Sequence, residues 1–71
     1  MKESQSERIL RHIDEHGSIT PFDAFTEYGI TRLAARIHDL RADGVNIEGE
    51  MEEKENRYGE KVRYIRYRRV V

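Results

Sequence analysis

Apolar positions in the first 43 residues fall at helical spacing, and those beyond residue 44 fall at strand spacing. Ser4-Gln5-Ser6-Glu7 has the Ser-x-x-Glu spacing in which a hydroxyl and a carboxylate satisfy unpaired amides at a helix start. Ile9, Leu10 and Ile13 then share one face, Arg8, Arg11, His12, Asp14 and Glu15 surround it, and Gly17 suits a left-handed stop. A first helix is predicted over residues 5 to 16. Ser18-Ile19-Thr20 reads as a short extended link, with room for a brief third strand near residues 18 to 20. Thr20-Pro21 is a second start signal, a hydroxyl cap followed by a proline whose missing amide costs little there. Phe22, Phe25 and Tyr28 recur at spacing three beside Ala24, and Gly29 closes a short helix over about residues 21 to 28.

Thr31 offers a third cap, and Leu33, Ile37 and Leu40 form an i, i+4, i+7 stripe ended by Gly44, so a third helix is predicted over residues 31 to 43. At about 100° per residue, Arg32, Ala35, His38, Asp39 and Ala42 point away from that stripe, with Arg36 on its flank. After Gly44 the period drops to two. Val45 and Ile47 alternate with Asn46 and Glu48, and Met51 extends the pattern. Asn56-Arg57-Tyr58-Gly59 supplies turn residues, and residues 62 to 68 are rich in strand formers. Strands are predicted at about 45 to 51 and 61 to 70, joined as a hairpin. The alternation favours Ile65 and Tyr67 as inward-facing, which leaves Arg66 and Arg68 outward, and a one-residue slip would reverse this.

Three short helices followed by a two-stranded β-hairpin are the order of an α+β winged helix-turn-helix. With 71 residues and no cysteine, one domain with one modest core is expected, held by packing alone. No apolar run reaches the roughly 20 residues of a membrane helix, and residues 1 to 5 lack a secretory pattern, so the reading is cytoplasmic with no membrane partner.

Charge complicates a nucleic-acid reading and then redirects it. The chain carries 13 basic and 14 acidic residues, a near balance that argues against a uniformly basic binder. Its distribution is uneven: residues 50 to 60 hold five glutamates, and residues 61 to 69 hold five basic side chains and no acidic ones. A helix about 10 to 12 Å across fits the major groove, and small outer residues let its backbone approach while arginine reaches a base edge. Thr31, Arg32, Ala35 and Arg36 on the third helix are therefore the candidate groove contacts. Arg63, Arg66 and Arg68 on the last strand are the candidate phosphate contacts. Double-stranded DNA is the expected partner.

One string competes. His12-Ile13-Asp14-Glu15-His16 matches a His-x-x-Glu-His pattern that can hold zinc on a helix. It ends against Gly17 in a chain too small to enclose a cleft, and no third ligand is evident. The expectation is no metal, no cofactor and no enzyme. His16 has an electrostatic rationale at a helix C-terminus.

Ser18-Ile19-Thr20-Pro21, Tyr28-Gly29, Leu33-Ala34-Ala35-Arg36-Ile37 and Asp39-Leu40-Arg41 through Gly44 resemble the small helix-turn-helix proteins of bacteriophages and prophages, over roughly residues 7 to 70. That resemblance implies a winged-helix fold and a DNA-binding, regulatory or accessory role in phage biology, with Ala35-Arg36-Ile37 on the recognition helix. A host or phage protein, met through the acidic hairpin tip or the aromatic residues, is the alternative partner. A monomer or weak homodimer is expected, since no helix follows the hairpin.

Overall fold

The computed structural model describes residues 3–70; Met1, Lys2 and Val71 lie outside, and with them part of the terminal readings above. The elements run α1 (Gln5–His16), α2 (Pro21–Tyr28), α3 (Leu33–Ala42), β1 (Ile47–Glu55) and β2 (Lys61–Arg69). Helix α1 starts where Ser4 Oγ accepts from the Glu7 amide at 3.1 Å, and ends where the left-handed Gly17 donates its N–H to the Ile13 carbonyl. Helix α2 begins with a full reciprocal box. Thr20 Oγ1 accepts from the Asp23 amide while the Asp23 carboxylate accepts from the Thr20 amide, both at 3.1 Å. It ends at Gly29 in the left-handed region, where Ile30 donates back to the Ala24 carbonyl and buries its side chain in the core.

Helix α3 departs from expectation at its start and ends at Ala42, one residue short of the expected end. Thr31 is not its cap: the helix starts at Leu33, Arg32 takes the cap position, and no side chain bonds the first amides. The buried Ile30 and Leu33 anchor both sides of this turn, and Thr31 and Arg32 span the gap between them before the backbone can coil. The Leu33, Ile37 and Leu40 stripe is buried as expected.

The stripe on α2 is the second departure. Phe22 and Phe25 are 74% and 58% exposed, and the helix instead buries Ala24 and half-buries Tyr28. A spacing of three drifts around a 3.6-residue helix, and Ala24 allows α2 to approach the core closely.

Strands β1 and β2 pair antiparallel from Ile47 opposite Arg69 to Glu55 opposite Lys61. β1 thus starts two residues after the predicted start and runs four beyond the predicted end, through Glu52 and Glu53, which find cationic partners across the ladder. Ile19 adds a single bridge to Tyr67 through two backbone hydrogen bonds of 3.0 and 2.9 Å where a short third strand is expected near residues 18 to 20, and the sheet itself has two strands among the described residues. Ile9, Ile13, Ile19, Ala24, Ile30, Leu33, Ile37, Leu40, Ile47 and Tyr67 form the core, with Ile65 packed against it. Ile65 and Tyr67 are therefore the inward pair. The hairpin beyond Ile65 reaches away from this core, and the molecule extends 42 Å along its longest axis against 25 and 21 Å across.

Candidate nucleic-acid interface

Burial of Leu33, Ile37 and Leu40 turns Arg32, Ala35, His38, Asp39 and Ala42 outward, with Ala35 half-buried and the others exposed. The alanines keep this face low. Arg32 is exposed and forms no ion pair among the described residues. Arg36 is differently placed. Its Nε lies 3.1 Å from Asp39 Oδ2 without aiming its hydrogen at it, and Nη1 donates to Gln5 Oε1 at 3.4 Å. That side chain leans toward the start of α1, half-buried between the two helices, while Arg32 stands free. Thr31 is exposed one residue before Arg32, beside first-turn amides that carry no side-chain cap. Arg41 belongs to the scaffold, since its Nε and Nη2 both donate to the Ile47 carbonyl, tying α3 to the start of β1.

The three hairpin candidates do not form one cluster. Strand alternation sets Arg66 and Arg68 on one sheet face and Arg63 on the other. Arg66 is not a free outward cation: it donates to Glu52 Oε1 at 2.9 Å and to Ser18 Oγ at 2.8 Å, bracing the hairpin against the link between α1 and α2. The guanidinium holds the Glu52 carboxyl below the usual carboxylate range, and Glu52 in turn raises Arg66. Arg68 approaches the other oxygen of Glu52 at 3.7 Å and stays half-exposed. Arg63 is more open, with Glu53 at 3.7 Å.

These pairs change the electrostatics that the sequence implied. Glu52 and Glu53 are compensated across the strands by Arg66, Arg68 and Arg63. The tip itself presents Lys54, Arg57 and Lys61 beside Glu55 and Glu60, all five exposed and without an ion pair among the described residues. Asn56 organises that tip, its Oδ1 accepting from the Tyr58 and Glu60 amides at 2.9 and 3.1 Å while Gly59 takes a φ of 75°. Sequence reasoning passed over Arg57 and Lys61, although their place beside the Asn-x-x-Gly turn was a usable signal.

His12 has a structural task. It is buried, its Nδ1 sits 2.8 Å from the Tyr28 hydroxyl, and its ring lies 4.4 Å from that of His16. The contact joins α1 to α2, and burial raises the Tyr28 hydroxyl above its ordinary value, with Glu27 adding to the effect.

A family model described as a winged helix-turn-helix domain matches residues 4–68. The chain belongs to this family. No curated protein and no solved structure matches it. Within the winged helix-turn-helix, α2, the turn from Gly29 to Arg32 and α3 form the helix-turn-helix, and the β1–β2 hairpin is the wing. Such a domain suggests DNA as the partner. No helix among the described residues is long and apolar enough to cross a membrane.

Proposed function

We propose that this winged helix-turn-helix domain binds double-stranded DNA with α3 in the major groove. The observation that carries the reading is the outer face of α3, where Ala35 and Ala42 leave the backbone low and Arg32 is exposed at the leading end without an ion pair among the described residues. Thr31 and the uncapped amides beside it suit a phosphate. Arg68 and the tip cations Arg57 and Lys61 supply further phosphate contacts, while Arg66 supports them by holding the wing in place. The resemblance of the Ser18 to Gly44 segment to small phage and prophage proteins directs the role toward a transcriptional regulator or accessory factor of that biology.

The decisive measurement compares two arginines. Binding to a selected duplex by fluorescence anisotropy is expected to weaken by about tenfold or more for Arg32→Ala, because a bidentate guanine contact discriminates by roughly 1–3 kcal/mol. Arg36→Ala is expected to weaken it less, because its guanidinium is already engaged with Asp39 and Gln5. No affinity for pooled duplex DNA at low salt would remove the reading altogether.

A further inference from the structure

Both phenylalanines of the chain are exposed on α2, an unusual disposition for the largest purely apolar side chains of a small domain. Phe22 overhangs a cleft of about 470 Å³ between the start of α2 and the wing, whose far wall includes Val62 and Tyr64. Val62 is 41% exposed, so the apolar surface continues from helix to hairpin. Charges mark the two walls with opposite signs: Asp23 stands on the α2 wall, and the wing wall carries Lys54, unpaired among the described residues, with Arg63 and Arg66 against a single lining carboxylate, Glu55.

We infer that this cleft is a self-association face, filled by α2 of a second copy of the chain. A two-fold axis that seats each copy's Phe22 and Phe25 against the other's Val62 and Tyr64 also exchanges the walls. Asp23 of one copy then meets Lys54 of the other, and the reverse contact forms at the same time. A partner of uniform sign would face like charge on one wall. With a net charge of −1, two copies repel each other negligibly. Aromatic residues of this size each bury about 150 to 250 Å² when covered, so four of them make a small interface. The dimer is accordingly weak and concentration-dependent. The inference does not depend on DNA binding and is tested without DNA.

Sedimentation equilibrium of the full chain from about 10 μM to about 1 mM, a range suited to a weak complex, is expected to show the mass rising from one chain toward two. The double variant Phe22→Ser/Phe25→Ser is expected to lower the association constant at least about tenfold, with an unchanged circular dichroism spectrum because both side chains are exposed. Lys54→Glu, which touches no ion pair among the described residues, is expected to weaken association through repulsion from Asp23 of the second copy. A mass of one chain across the whole range, or association of the phenylalanine double variant at wild-type strength, would overturn the inference.

Discussion

At Gly49 the wing leaves no room for a side chain. A Cβ there would stand 2.7 Å from Ile65 Cδ1 and 3.2 Å from Tyr67 Cε1. Ile65 can rotate its terminal methyl away, but the Tyr67 ring is buried in the core and directly opposite Gly49 in the ladder. Gly49→Val is therefore expected to destabilise the fold by about 1–3 kcal/mol, the range of an overpacked core, read as a lower urea midpoint with an unchanged slope. A midpoint equal to wild type would show that the sheet yields locally. His12 makes a related point in the opposite direction. Its motif has the spacing of a zinc-binding pair, and the Tyr28 hydroxyl at 2.8 Å makes it a buried connector between two helices. The sequence shows a histidine pair at i, i+4; only packing shows what lies across from it.

The hairpin is the element whose character the linear sequence misrepresents most. As a string, residues 50 to 60 are acidic and residues 61 to 69 basic, which reads as two opposed fields. Antiparallel pairing folds one onto the other, and Glu52 becomes the shared carboxylate of Arg66 and Arg68. Arg66 depresses the Glu52 carboxyl below its ordinary value of 4.5, so its ionisation favours the folded state. That contribution is present above the ordinary value and is lost as pH falls through the lower folded value. In an acid titration of stability followed by circular dichroism, wild type is expected to lose stability below pH 4.5 in a component that Glu52→Gln lacks. Identical acid profiles would show that the brace adds nothing. On α2 the discrepancy has a different cause. Periodicity places Phe22, Phe25 and Tyr28 near one another, but a helix of 8 residues has too few turns for its apolar stripe to dictate its roll. The fit of Ala24 and the buried Ile30 set the roll instead.

For the whole molecule the relevant quantity is how many cations remain available once internal pairs are formed. Arg8 and Arg11 lie against Glu3, Arg36 against Asp39, Arg66 against Glu52, and Arg69 against Asp14. Arg32, Lys54, Arg57 and Lys61 form no ion pair among the described residues; Lys54 lines the cleft beside α2, and the proposed DNA contacts rest on Arg32, Arg57, Lys61 and the half-exposed Arg68. About four neutralised phosphates correspond to a log–log salt slope of roughly −3 to −4. A steeper slope would mean that the arginines paired in the free protein exchange their carboxylates for phosphate on binding.

The sequence by itself determined the local features of this protein: the capping residues Ser4 and Thr20, the stops at Gly17 and Gly29, and the buried stripe of α3. These depend on interactions between residues a few positions apart, and caps, turns and periodicity record them directly. Which arginines are free, which way α2 turns its phenylalanines, and how acidic the wing is were decided only by the tertiary structure. Each depends on groups brought together from distant parts of the chain, such as Ser18 with Arg66 or Gln5 with Arg36. A helix face or a strand parity narrows where a side chain points. The partner waiting there decides whether its charge is available, and that partner is set by packing.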